Sequence, residues 1–214
     1  MRHAAFLSLL LVAACSASST RADPSSMGGS THRAPALAPG RAQALFAGGC
    51  FWCMEGPFEA LEGVDSAVSG YAGGTVEGPS YDEVSAGRTG HAEAVRIVFD
   101  PTRITYARLH EVYWHNVDPT QRDGQFCDHG TQYRTAIFVV DGEQRRLAEA
   151  SRAHVAQTLA RDIVTTIDDA GPFFVAEDYH QDFHRTHPTR YRSYRAGCGR
   201  DARLRELWGA PSAH

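Results

Sequence analysis

The sequence predicts a single two-layer α+β domain behind an export leader, and three observations carry that prediction. Strand-like and helix-like hydrophobic patterns alternate from about residue 42 to residue 210. The 214 residues, 43% hydrophobic and 21% charged, suit one globular domain of roughly 100–200 residues plus an extension. No internal repeat divides the stretch.

The leader comes first in chain order. Arg2 and His3 precede an apolar run, Phe6 to Ala14, that is too short to cross a bilayer as a helix and ends in Val12-Ala13-Ala14-Cys15. This pattern resembles a bacterial lipoprotein signal, which implies cleavage of residues 1–14 and lipid on the Cys15 thiol. An ordinary secretory signal cut a few residues later is the alternative. From Cys15 to Arg41, 19 of 27 residues are Ser, Ala, Pro, Gly or Thr, a composition that reads as a flexible tether. The expected mature protein is exported, touches the membrane only through its lipid, and sits in the cell envelope on the periplasmic side. Cys15 is then no redox thiol.

Within residues 42–210, Gln43 to Ala47 reads as a strand running into Gly48-Gly49-Cys50. Cys50, Met54, Phe58 and Leu61 then recur at helical spacing, and Pro57 demands a kink or a restart because it leaves the Cys53 carbonyl without its helical donor. Val64 to Ser69 and Ala94 to Phe99 read as strands, and Pro101 with Thr105 opens a helix through Asn116. Tyr133 to Val140 is a strand. Asp141, with Gln144 three residues on, starts a long helix with a stripe of Leu147, Ala150, His154, Val155 and Leu159, and Val164 to Ile167 returns as a strand. The glycine-rich connections Gly70 to Gly90 and Val117 to Thr131 exceed usual loop lengths, which points to function. Arg203 to Trp208 reads as a short amphipathic helix that packs Leu204, Leu207 and Trp208. The many arginines from Arg185 to Arg205, Arg195 and Arg200 among them, read as a solvated basic face.

Composition narrows the chemistry. All 21 basic residues are Arg, which excludes a phosphate-loop lysine, a Schiff base and any lysine nucleophile. A net charge of -4 gives no electrostatic case for nucleic acid. Five cysteines are too few for a disulfide scaffold. Cys50, at a strand-to-helix turn behind two glycines, is the expected nucleophile, with a pKa lowered by the helix N-terminus. Phe51 and Trp52 either fill the core or wall an apolar pocket beside the sulfur, with spacing alone slightly favouring the core. Cys50-Phe51-Trp52-Cys53 by itself fits a thioredoxin-like redox pair, half a metal site or coincidence. With no second C-x-x-C, zinc is a weak reading, and His180, His184 and His187 are expected to be solvated.

Six blocks occur in order: Gly48-Gly49-Cys50-Phe51-Trp52, Val68-Ser69-Gly70-Tyr71-Ala72-Gly73-Gly74, Tyr81-Asp82-Glu83-Val84, Thr89-Gly90-His91-Ala92-Glu93, Gln132-Tyr133-Arg134 and Glu177-Asp178-Tyr179-His180-Gln181. Together they resemble peptide methionine sulfoxide reductases of the A type, from Phe46 to about Arg195. The resemblance implies an α+β sandwich with a ferredoxin-like core. It also implies thiol-dependent reduction of methionine S-sulfoxide, free or in oxidised proteins, which is a protein-repair activity. Cys50 is then the nucleophile, Glu93 the acid, and Tyr81 and Tyr133 the donors that hold the sulfoxide oxygen; by residue type alone either tyrosine equally suits plain packing. Phe51 and Trp52 bind the methyl and thioether, and Asp128 matches a further site position.

The resemblance also implies a Cys50 sulfenic acid resolved by a second thiol. Cys198, on a glycine-flanked tail whose mobility would let it reach the site, is the expected partner. Cys53 stands where the family more often has glycine and is the alternative partner, whereas Cys127 reads as an inert small residue. No bound cofactor or metal is expected, only an external thiol, a thioredoxin-like protein or dithiothreitol, and the protein is expected to be a monomer. A thiol–disulfide oxidoreductase working through Cys50 and Cys53 is the runner-up reading, a non-catalytic or metal-binding lipoprotein the third, and a papain-like protease fits less because Phe51 separates Cys50 from Trp52.

Overall fold

The computed structural model describes Met1 and residues 31–209; the expected signal peptide, Cys15 and the first half of the tether lie outside the described residues. Seven strands form one sheet. These are β1 (His32–Arg33), β2 (Ala42–Gly48), β3 (Val64–Ala72), β4 (Ala92–Phe99), β7 (Thr135–Val139), β8 (Thr166–Asp169) and β9 (Phe174–Val175), while β5 (Gly124–Gln125) and β6 (Asp128–His129) make a separate hairpin. The order is β1-β9-β3-β4-β2-β7-β8, antiparallel except where β8 returns parallel to β7. That parallel pair needs a crossover helix between its strands, and α4 (Gly142–Leu159) supplies it.

Alternation along the strands sorts side chains to two faces. Ala44, Phe46, Val95, Ile97, Ile137 and Val139 face the main core with α1 (Glu55–Glu59), α3 (Tyr106–Trp114) and α4. Fully burying such a side chain contributes roughly 1.5–3 kcal/mol. The opposite face carries Leu45, Ala47, Ala92, Ala94, Ala136 and Phe138, a smaller apolar layer. The result is the expected two-layer α+β domain.

Several local expectations shift. The tether is not free up to Arg41: β1 pairs with β9, the Ala34 N–H donates to the Phe173 carbonyl at 2.9 Å, and Arg96 donates to the Pro35 carbonyl at 2.8 Å. Backbone pairing at a sheet edge outweighs the flexible composition there. The stripe of α4 is rotated from the one read in sequence, since Gln144, Ala148 and Val155 are buried whereas Ala150 and His154 are exposed. Tyr133 is not in a strand but in a 3-10 turn, Thr131–Tyr133, entered through Gly130 at φ 122°. Pro57 restarts the chain as expected: a 3-10 turn, Phe51–Cys53, ends at Met54, and α1 begins at Glu55 with Pro57 in its first turn, where a missing N–H costs nothing.

Candidate active site

The two glycines before Cys50 are needed for close approach. Gly49 has φ +77°, and a Cβ there would come within 2.5 Å of the Gln125 side chain; one on Gly48 would meet Met54 Sδ at 2.7 Å. Gln125 in turn clamps the 117–131 connection, accepting from the Asp118 N–H at 2.9 Å and donating back to its carbonyl at 2.8 Å. The strand end that presents Cys50 is thereby locked against the loop carrying Asp128.

Cys50 and Cys53 are both buried free thiols that hydrogen-bond each other. The expectation of a lowered Cys50 pKa is overturned. Burial pushes the Cys50 thiol well up, reinforced by the bond to Cys53 and by Glu93, because one 3-10 turn has too little dipole to offset desolvation. Cys53 instead is drawn down to about 6, first by the Cys50 hydrogen bond and then, against its own desolvation, by Arg200 and Arg195. The two sulfurs thus titrate as one coupled pair, and their shared hydrogen bond favours the proton on Cys50.

Glu93, on β4, is buried and accepts from the Phe51 N–H at 3.0 Å. Burial pushes its carboxyl up to about 8, opposed by that N–H and assisted by Asp128. It is therefore mostly protonated at neutral pH, as a proton donor must be. Tyr81 opens α2 (Tyr81–Ser85), whose capping box joins Ser80 and Glu83. Its N–H donates to Glu177 at 2.8 Å, and the same carboxylate accepts from the Tyr71 hydroxyl at 2.8 Å. Burial raises the hydroxyl pKa of both Tyr81 and Tyr133, with Glu93 the next cause for each and Cys50 a further one, so both stay protonated within range of that pair.

The aromatic pair divides its labour. Phe51 belongs to the core and packs on Tyr71 and His180 at 5.9 and 4.9 Å. Trp52 is half-buried, stacks on Phe183 at 3.6 Å and donates from Nε1 to His180 Nδ1 at 3.1 Å. His180 is therefore not a solvated histidine: it is buried, its pKa is lowered to about 4 by desolvation, and its ring also lies 4.5 Å from Tyr81. His184 is half-buried and His187 exposed.

Three features of the C-terminal segment escape sequence reasoning. Tyr194, on α6 (Pro188–Gly197), donates to Asp128, meets Trp52 edge-on at 5.8 Å, and lies within hydrogen-bond reach of Cys50. Arg200, opening α7 (Arg200–Trp208), is 2% exposed and donates to the Gly48 and Asn116 carbonyls at 3.0 and 2.7 Å, so it is no member of a solvated basic face. Arg195 pairs with Asp201, and Arg203 with Asp118. Cys198 caps the end of α6 with its sulfur bonded to Cys127. Cys127 is thus a disulfide partner, not an inert residue, and Cys198 is not on a loose tail. The thiol beside Cys50 is that of Cys53. Leu204 of α7 is buried and Trp208 packs on the core, as the amphipathic pattern predicts.

Comparison with known proteins places this arrangement. A family profile described as peptide methionine sulfoxide reductase matches residues 42–212. A Bacillus licheniformis protein named peptide methionine sulfoxide reductase MsrA is 50% identical over 175 residues, 81% of this chain and 97% of its own length. MsrA 2 of Rhizobium meliloti is 47% identical over 175 residues, 82% and 87% of the two chains. Among solved structures, methionine sulfoxide reductase A of Corynebacterium diphtheriae gives a TM-score of 0.66 at 35% identity, covering 71% of this chain and 77% of that one. Reduced Mxr1 from Saccharomyces cerevisiae gives 0.68 at 28% identity, covering 72% and 90%.

Proposed function

This chain belongs to the peptide methionine sulfoxide reductase family, A type, and we propose that Cys50 performs its thiol-dependent reduction of methionine sulfoxide beside Trp52, with Glu93 as the acid. The observation that carries this assignment is a buried, protonated Glu93 held on the Phe51 N–H next to the Cys50–Cys53 pair. A sulfoxide sulfur accepts a nucleophile only if its oxygen is relieved of charge, which requires a proton at the site of attack. As the substrate sulfur approaches, Cys50 passes its proton along the hydrogen bond to Cys53, a transfer drawn forward by the bond that Cys50 begins to form to the substrate. Cys50 Sγ then bonds to the sulfur, Glu93 gives its proton to the oxygen while Tyr81 and Tyr133 donate hydrogen bonds to it, and the resulting hydroxyl passes to Cys50 Sγ as the substrate S–O bond and the transient S–S bond break. The products are methionine, a Cys50 sulfenic acid and the Glu93 carboxylate, which regains its proton from solvent.

The now protonated Cys53 condenses with the sulfenic acid, forming the Cys50–Cys53 disulfide and releasing water. An external dithiol, a thioredoxin-like protein or dithiothreitol, returns both thiols. Contact between the two sulfurs supports Cys53 for this step, whereas Cys198 requires prior opening of its bond to Cys127. The Cys53→Ser variant is expected to release one methionine per chain without reductant and to accumulate Cys50 sulfenic acid, trapped by dimedone. A disulfide forming at the wild-type rate between Cys50 and Cys198 in that variant would assign the step to Cys198. The S epimer at sulfur is the expected substrate, a stereochemistry supported by the family resemblance.

Trp52, its indole backed by the stacked ring of Phe183, offers a flat apolar wall that suits a thioether and its methyl group. The export signal and lipidation of Cys15 belong to the same proposal, supported by the apolar run that ends at that residue; mass spectrometry of the envelope-derived protein is expected to show acyl groups on Cys15, and an unmodified residue there, or a chain cut beyond it, refutes the anchor.

A further inference from the structure

A cavity of about 440 Å³ opens behind the His180–Asp182 turn, along β3. Its lining includes none of Cys50, Trp52, Glu93, Tyr81 and Tyr133, and along the chain a single residue, Met54, separates the lining Glu55 from Cys53. Its charge is one-sided. Glu55 and Glu59, one turn apart on α1, line it with Asp65 and Asp182, against the single lining guanidinium of Arg185. Arg185 is occupied by Asp182 and by Glu59 at 3.4 Å, and Asp65 by Arg41. Among the described residues Glu55 has no cationic partner. It is 0% exposed, one carboxylate oxygen accepts from the Ser69 N–H at 3.1 Å, and the other has no hydrogen-bond partner. A fully buried carboxylate oxygen on a cavity wall is costly unless a donor reaches it. Burial pushes this carboxyl up to about 7, so a cation arriving nearby near neutrality would drive off its proton and gain a full ionic partner.

The wall between these carboxylates is an open sheet edge. β9 pairs with β3 only at Gly70 and Tyr71. The Ser69 carbonyl accepts from the Ala176 N–H and the Gln181 side chain, and its N–H donates to Gln181, so Ser69 points away from β4. By the alternation of an antiparallel pair, Ala67 presents its N–H and carbonyl in the same direction, into the cavity it lines, and among the described residues no backbone group meets them there. Val64 lines the cavity from the side of the main core, and Val68 and Val175 from the side of the smaller apolar layer. An unpaired edge takes an extended peptide, the valines take an aliphatic stem, and the carboxylates take a cationic head.

We propose that this groove binds an extended segment of the polypeptide substrate, with a Lys or Arg side chain a few residues from the methionine sulfoxide set against Glu55 and Glu59. The inference rests on the reductase reading above and adds to it a substrate class, oxidised chains that are unfolded and basic near the lesion. The test compares kcat/KM for unstructured peptides carrying one methionine sulfoxide and a Lys, or a Gln in its place, two to five residues away on either side. N-acetyl-methionine sulfoxide, too small to reach the groove, reads the chemistry alone. The best Lys peptide is expected to exceed its Gln counterpart by about tenfold at low salt, with the advantage shrinking as ionic strength rises. The Glu55→Gln/Glu59→Gln double variant, whose amide oxygen at position 55 still accepts from the Ser69 N–H, is expected to lose that advantage while turning over N-acetyl-methionine sulfoxide at the wild-type rate. Equal wild-type values for Lys and Gln peptides at every spacing, or a preference that survives in the double variant, would overturn the groove. Failure to reduce N-acetyl-methionine sulfoxide would instead strike the reductase reading; for that case, competition of an unoxidised Lys peptide against a dye-labelled copy, read by anisotropy in wild type and double variant, still decides whether the groove binds.

Discussion

Cys50→Ser is expected to bring reduction of N-acetyl-methionine sulfoxide down by on the order of 10⁴-fold or more, to the rate of dithiothreitol alone, with the fold intact. The serine hydroxyl matches the thiol closely in size, and the site is tightly packed, so the change leaves the Gly48–Gly49 turn and the Arg200 bonds in place. What it removes is a soft nucleophile whose proton a neighbour already holds in a hydrogen bond. A hydroxyl near Cys53 has no comparable acidity, and a serine cannot form the sulfenic acid on which the rest of the cycle depends. Turnover within about tenfold of wild type would mean that another thiol attacks, with Cys53 as the candidate.

Glu93→Gln is expected to lower kcat/KM by between about 10²- and 10⁴-fold, the range for loss of a positioned acid. The amide keeps an oxygen for the Phe51 N–H, so geometry survives and only the transferable proton is lost. The sign of the pH dependence follows from the direction of the shift. With the Glu93 carboxyl raised to about 8, the donor form is full at neutral pH and is lost as pH rises through 8, so wild-type activity is expected to fall there. The variant is expected to lack that limb. Linkage gives a second sign: an unfolded glutamate titrates near 4.3, so above that pH folding must bind a proton that the unfolded chain has released. The wild-type fold therefore loses stability from about pH 4.3 up to about 8, and at pH 8 the Gln variant is expected to melt no lower than wild type. A variant that melts much lower would mean that lost folding, not a lost proton, explains the activity.

The sequence shows the strand–turn–nucleophile unit clearly because its signals are local. Gly48-Gly49-Cys50, the Pro57 restart and the Asp141 cap each depend on neighbours within a few positions, and the structure forms all three. Residues decided by long-range packing are less legible. His180 and Arg200 are polar and look solvent-facing in one dimension, yet one is buried against Trp52 and the other against Gly48, 152 positions away. The Cys50 thiol follows the same rule: sequence places it at a turn, where a dipole argument applies, whereas the burial that reverses the argument, and the Cys53 hydrogen bond and Glu93 charge that reinforce it, exist only in the folded chain. Cys127 and Cys198 are 71 residues apart, and spacing alone gives no reason to join them. Tyr133 falls two residues short of its strand for a smaller reason, since Gly130 bends the chain just before a stretch that otherwise reads as strand.

The central claim is that Cys50 takes the oxygen from one epimer of methionine sulfoxide with a proton from Glu93. It is tested most directly by a single turnover of the reduced protein, lacking residues 1–14 and with Cys15 removed, on each separated epimer of N-acetyl-methionine sulfoxide without reductant, followed by mapping of every cysteine. The account predicts one methionine per chain from the S epimer, none from the R epimer, and oxidation beginning at Cys50. Methionine formed while Cys50 remains a free thiol, or no methionine from either epimer by folded protein, would contradict it.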